Sequence, residues 1–198
     1  MRRSYFIFGL VALLAAAGFW TWSLVQPARE APDYATRVAI GGPFTLVDHN
    51  GKTVTWADFR GRYVLIFFGY TFCPDVCPTS MMTVSQALDL LGPKAGKVQP
   101  LFISVDPERD TPETLKSFVE NFHPRLTGLT GSPEQVAAAA KAFKVYYKKM
   151  KEEGSPDDEY LVNHSTSVYL MDPQGEFSAV FSYETAPEAM AEKIGTYL

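Results

Sequence analysis

RYVLIFFGYTFCPDVCPTSMM, residues 62–82, decides the fold. The apolar run from Tyr63 to Phe68 has no polar interruption, which suits a strand covered on both faces. Cys73 and Cys77 follow directly on the C-terminal end of that strand. Beyond Pro78, Met81, Val84, Leu88 and Leu91 recur at steps of three and four, which predicts an amphipathic helix from about Thr79 to Leu91. A thiol between a buried strand and a helix N-terminus faces free amide N–H groups and the positive end of the helix dipole, so the thiolate is favoured. Three roles present themselves for the pair: a structural disulfide, a redox couple or half of a metal site. The first is weak, because these are the only 2 cysteines and closing so short a loop restrains little of the unfolded chain. Positions four apart on a helix hold their Cβ atoms ~5–6 Å apart, wider than the ~3.8 Å of a disulfide and closer to what two ligands of one metal need. With Cys73 placed in the loop before the helix, a disulfide stays open.

The rest of the domain alternates around this unit. Phe44–Val47 and Lys52–Thr55, joined by Asp48-His49-Asn50-Gly51, read as a small hairpin. A strand near Val98–Val105 precedes a helix capped by Thr111 and running to about Phe122. Leu126–Leu129 is a short strand, and Ser132-Pro133-Glu134-Gln135 is a capping box that opens a helix to about Phe143. Ser167–Met171 and Phe177–Tyr183 flank the turn Asp172-Pro173-Gln174-Gly175, and a last helix follows Pro187. The expected fold class is α/β: a mixed sheet with helices on both faces. Between Lys144 and His164 the chain breaks this rhythm with an inserted hairpin, whose charges, Lys148, Lys149, Lys151, Glu152, Glu153, Asp157, Asp158 and Glu159, read as a solvated face that also offers a partner contact.

Length and composition suit one globular domain behind a short appendage: 198 residues, 46% hydrophobic and 20% charged. From Tyr5 to Val25 there is no charge, enough for the ~20 residues of a bilayer-spanning helix. Arg2 and Arg3 precede that run, so residues 1–25 are expected to be an uncleaved single-pass anchor with its start in the cytoplasm. Residues 26–37, QPAREAPDYATR, read as a tether, and 38–198 as the exported domain. A cleaved signal peptide ending near Ala15-Ala16-Ala17 is the alternative. With no long Arg-rich and Ser-rich presequence, a bacterial cytoplasmic membrane with the domain on the periplasmic side is expected. Beyond the anchor there are 16 basic groups (18 less Arg2 and Arg3) against 22 acidic ones, a formal charge of −6, which disfavours nucleic acid as a partner.

A metal site wants a third ligand, and there are 3 histidines. His49 lies in a polar turn and reads as a surface residue. His123 follows a helix, where a cation at the C-terminus is favourable. His164 ends the inserted hairpin, immediately before the strand at Ser167–Met171.

The order of strand, cysteine pair, helix and closing β-hairpin resembles the thioredoxin superfamily. GYTFCPDVCPTS (69–80), SVDPERDTPE (104–113) and VNHSTSVYLMDPQGEF (162–177) together resemble the Sco/SenC copper proteins, which assist cytochrome c oxidase assembly. The resemblance runs from about Phe44 to the C-terminus and includes the anchored topology. It implies one copper ion, as Cu(I) or Cu(II), held by Cys73, Cys77 and His164. It departs from ordinary thioredoxins in having CxxxC for CxxC, and His164-Ser165-Thr166 where a cis-proline would face the sulfurs. Two thiolates and an imidazole suit soft Cu(I), although zinc accepts the same donors. Asp106, at the sheet edge where α/β sites form, is a candidate to tune the copper from behind its ligands. Asp110, on the same edge, either shares that role or recognition, or only assists the Thr111 cap; Asp75 is expected to favour its turn, with an oxygen for Cu(II) or a partner contact as the alternative. Tyr70 and Phe72 should wall the site, and Met81 belongs to the core rather than joining Met82 as a thioether ligand. The implied function is a non-enzymatic copper metallochaperone serving the copper-accepting subunit of the oxidase, with another copper chaperone or a thioredoxin-like reductant as further partners. The alternative is a thiol:disulfide oxidoreductase in which Cys73 attacks and Cys77 resolves. Peroxide reduction ranks last, for want of a Thr-x-x-Cys pattern, and copper sensing stays open.

Overall fold

The computed structural model describes residues 39–198 except 152, 157 and 158. The anchor and tether expected over residues 1–37 lie outside the described residues. Among the described residues no helix is long and apolar enough to cross a membrane.

β1 (Thr45–Asp48) and β2 (Thr53–Thr55) form the first antiparallel hairpin. The Asp48 carboxylate accepts from the amides of Asn50 and Lys52, both at 2.9 Å, and Gly51 supplies the positive φ that the turn requires. β3 (Tyr63–Gly69) leads into α1 (Val76–Leu91), and α1 returns the chain to β4 (Val98–Ser104), parallel to β3. α2 (Pro112–Val119) then connects to β5 (Thr127–Thr130), parallel to β4. After α3 (Pro133–Ala142) come the inserted hairpin β6 (Tyr147–Met150) and β7 (Leu161–His164), the antiparallel pair β8 (Val168–Met171) and β9 (Phe177–Phe181), and α4 (Pro187–Gly195). β8 lies antiparallel to β3, so one seven-stranded mixed sheet runs β2-β1-β5-β4-β3-β8-β9.

The continuous apolar run of β3 is explained by its position. Successive side chains of a strand face opposite ways. Phe67 turns toward Phe102, which stacks on Phe118 of α2 at 4.8 Å, while Phe68 turns to the other side against Phe143 at the end of α3, 5.5 Å away. Both faces are dry, and each fully buried aromatic contributes roughly 2–3 kcal/mol. α1 packs on α4, and its Met81, Val84, Ala87 and Leu88 are buried.

Three expectations shift. α1 starts at Val76 rather than Thr79, because Pro78 falls in the first turn, where its missing N–H would have no helical partner anyway. Cys77 is thereby inside the helix and Cys73 outside it. α2 stops at Val119, three residues early, and α2's N-terminus is capped by Thr111 alone, through Thr114 N–H at 3.2 Å. His49 is more than a surface residue: its amide donates to Gly128 O at 2.9 Å and its Nδ1 accepts from Gly128 N at 3.1 Å, extending the β1–β5 ladder.

Candidate metal centre

Cys73, Cys77 and His164 are brought together, with one ligand atom from each within 4.8 Å of the others. Cys77 enters from the first turn of α1 and is fully buried, Cys73 sits half-buried in the loop before it, and neither is disulfide-bonded. His164 reaches across from the end of β7, its Nε2 3.4 Å from the Cys77 sulfur. Its Nδ1 lies 2.9 Å from the Ser165 carbonyl oxygen. A carbonyl only accepts, so Nδ1 carries the proton and Nε2 turns its lone pair toward the sulfurs, the tautomer a metal ligand requires. Tyr70 (2% exposed) and Phe67 meet the imidazole edge-to-face, at 5.8 and 5.9 Å. These rings fix its plane.

The two thiols are driven apart in acidity. The Cys73 thiol is pulled well below its ordinary value, first by a hydrogen bond with Cys77 and then by the backbone of Asp75 and Cys77, against an opposing effect of burial. Cys77 is pushed up by the same hydrogen bond, by burial and by the negative charge of Cys73 and of Asp110. Of the two, Cys73 is the more readily ionised. The loop amides at the start of α1 supply the positive environment that the strand–helix junction led us to expect.

The other expected site residues divide. Asp106 is fully buried but faces away from the ligands: it accepts from Arg109 Nε at 2.6 Å and from the Tyr160 hydroxyl at 2.7 Å. It does not join the cluster of ligand atoms. Asp110 does not help the cap but turns inward, accepting from Ser104 Oγ and Thr71 Oγ1, each at 2.6 Å, and from Thr71 N at 3.1 Å. It is therefore the carboxylate that ties the cysteine loop to the end of β4. Phe72 does not wall the site, being 55% exposed with the Arg109 guanidinium 4.8 Å over its ring. Asp75 is exposed at the N-cap position of α1 and makes no capping bond. Met81 is buried in the core and Met82 is exposed. His123 is not a helix-capping cation: burial lowers its pKa first of all, and its Nδ1 accepts from Arg125 N at 3.2 Å.

Gly69, Thr71, Arg109 and Tyr160 escaped notice in the sequence. Gly69 carried a usable signal, a glycine closing an apolar strand beside the cysteines. A Cβ there would stand 2.7 Å from the Cys77 sulfur and 2.7 Å from the Phe67 ring. No such signal marked the other three.

Burial lifts the Asp110 carboxyl above its ordinary value of 3.8, opposed by its bonds to Ser104 and Thr71 and reinforced by the charge of Asp106. A folded-state pKa above the unfolded one means stability that is complete below 3.8 and lost as pH rises through the folded value. Asp110→Asn imitates the protonated form. Urea unfolding midpoints of the two proteins should coincide near pH 3.8 and diverge in favour of the variant toward neutral pH. Parallel curves would show that the charge carries no such burden.

A thioredoxin-like α/β fold that sets two thiols and an imidazole around one point defines a class of thiol-rich metal-binding domains. The family model described as SCO1/SenC matches residues 32–198, and the chain belongs to that family. Protein sco1 of Schizosaccharomyces pombe is 43% identical over 162 residues, 81% of this chain, and the chain spans 62% of that relative's length. The structure of Bradyrhizobium japonicum ScoI with copper bound is 47% identical, with a TM-score of 0.74, covering 81% of this chain and all (100%) of that one. BsSco, described as a member of the Sco family of cytochrome c oxidase assembly proteins with a disulfide switch, is 28% identical with a TM-score of 0.62, covering 80% of this chain and 92% of its own.

Proposed function

We propose that this chain is a copper metallochaperone that binds one copper ion through Cys73, Cys77 and His164 and delivers it to the copper site of cytochrome c oxidase during assembly. The observation that carries the reading is the convergence of those three ligand atoms within 4.8 Å. Two ligands ~2.0–2.3 Å from one ion at a wide angle stand about 4 Å apart, so small side-chain adjustments suffice. Soft thiolates with a neutral imidazole suit Cu(I), and Cu(II) is accommodated with an added oxygen donor. A three-coordinate cargo is open to an incoming thiolate, which allows transfer by ligand exchange without turnover. The copper in the Bradyrhizobium relative supports the cargo, and the description of the Sco family as oxidase assembly proteins supports the destination.

The setting follows from the sequence: residues 1–25 as a single-pass anchor in the cytoplasmic membrane, 26–37 as tether, and the domain from 38 onward on the periplasmic side. The copper-accepting oxidase subunit is the partner there, with another copper chaperone or a thioredoxin-like reductant upstream. A second reading, thiol:disulfide exchange on the cysteines of the same oxidase subunit, is favoured by the split acidity of Cys73 and Cys77.

Reduced fragment Pro27–Leu198 titrated anaerobically with Cu(I) against a chromogenic chelator is expected to hold one copper per chain. His164→Ala should weaken that binding by about a hundredfold, equivalent to ~2.7 kcal/mol. Equal and weak binding by both proteins would shift the function to thiol exchange, which does not need the imidazole.

A further inference from the structure

β7 delivers His164, yet β6 and β7 pair only with each other and with no strand of the seven-stranded sheet. The β6–β7 ladder, in which His164 stands opposite Tyr147, therefore fixes this ligand within the hairpin and not against the main sheet. Val162 of β7 is buried, and the Phe67 and Tyr70 rings hold the imidazole itself. A further anchor is Tyr160, the residue immediately before β7. The Arg109 guanidinium lies 3.6 Å over the Tyr160 ring and 4.8 Å from the Phe72 ring. Its Nε donates to Asp106 Oδ2 at 2.6 Å and its Nη1 to the Tyr160 carbonyl oxygen at 3.0 Å. The Tyr160 hydroxyl donates to the other Asp106 oxygen at 2.7 Å, and the Asp106 amide donates to Ser104 Oγ at 2.9 Å. On the outer side Lys149 of β6 stands 4.7 Å from the same ring and pairs with Glu108.

Three segments meet at this one guanidinium: the cysteine loop through Phe72, the loop after β4 through Asp106, and the inserted hairpin through Tyr160. Arginine suits the place because its flat, delocalised cation can stack on rings and still direct N–H groups in its own plane. Asp106, fully buried, in turn needs that cation, since a buried carboxylate without a partner is strongly destabilising.

We propose that Arg109 is a positioning residue for His164, its clamp on Asp106 and Tyr160 holding the inserted hairpin so that the imidazole is set opposite the two thiols before metal arrives. This rests on the copper reading above. It differs from that reading in what must fail. In metal-free protein, Arg109→Ala should accelerate hydrogen exchange at the Leu161–His164 amides by about tenfold or more beyond whatever acceleration the unpaired Asp106 carboxylate causes at the β3 and β4 amides. Tyr160→Phe, which removes one hydroxyl and keeps the ring, should produce a smaller acceleration at the same amides. In Cu(I) competition, Arg109→Ala should weaken binding by about tenfold in the wild-type background and have no effect in His164→Ala, as a residue acting through that imidazole must. Arg109→Lys, which keeps the charge without the planar fork, should restore only part of the affinity.

Unchanged hairpin exchange in both Arg109→Ala and Tyr160→Phe would overturn the proposal. So would an Arg109→Ala loss of the same size with and without His164. Wild type and His164→Ala that bind copper alike would defeat the copper reading, and the exchange rates would still decide whether the clamp holds the hairpin.

Discussion

Cys77→Ala is expected to weaken Cu(I) binding by at least about a thousandfold, ~4 kcal/mol, while the domain still folds. The sulfur enters from the first turn of α1, is fully buried, and lies 3.4 Å from the imidazole nitrogen. Without it the ion is left with a half-exposed loop thiolate and one imidazole. Truncating a small buried side chain removes little apolar area, so the melting temperature should move by only a few degrees. Anaerobic chelator competition with reduced protein, alongside a thermal melt, separates the two effects. One copper per chain, held at wild-type affinity, would take Cys77 out of the site.

Phe67→Ala should be the most damaging single change near the site, costing about 3–5 kcal/mol. Phe67 is 1% exposed, its ring lies 6.1 Å from Phe102, and it supports the imidazole edge-to-face at 5.9 Å. The cavity left by the truncation would open beneath both Cys77 and His164. In a domain of this size the loss corresponds to a fall in melting temperature of roughly 10 °C. Phe68→Ala is the matched control: the next residue, equally buried, pointing at Phe143 on the opposite face. Both should melt early, but only Phe67→Ala should also weaken copper binding. Equal copper affinity in the two variants would show that the ring has no part in holding the site.

The strand–cysteine–helix unit was legible because its signals are local. An uninterrupted apolar run, a three-and-four stripe and two cysteines at their junction each have one physical interpretation. Helix ends were less so, since Pro78 reads equally as a stop before a helix or as part of its first turn. The inserted hairpin was recognised from composition, and His164 as a ligand only through family resemblance. The separate parts of Asp106 and Asp110 were not legible, because the two stand four apart on one loop. Nothing in SVDPERDTPE tells which carboxylate turns toward Ser104 and Thr71 and which toward Arg109 and Tyr160. That choice depends in part on Thr71 and Tyr160, 39 and 54 positions from the carboxylates they meet, and the part played by Arg109 likewise depends on Tyr160.

The ligand set is split across the chain, with Cys77 and His164 separated by 87 positions. During synthesis, both thiols therefore emerge long before the imidazole that completes the set. The hairpin must dock, and β8 must pair with β3, before all three donors coincide. On the copper reading, a nascent or misfolded chain has only a bare thiol pair with which to compete for metal, and full-affinity loading is reserved for finished molecules. The same linkage runs in reverse: an ion that binds only the folded state at a hundred times its dissociation constant adds ~2.7 kcal/mol to stability. On the proposed function, each delivery would return the protein to a less stable form, and the proportion of metal-loaded molecules would be readable as a shift in resistance to heat or proteolysis.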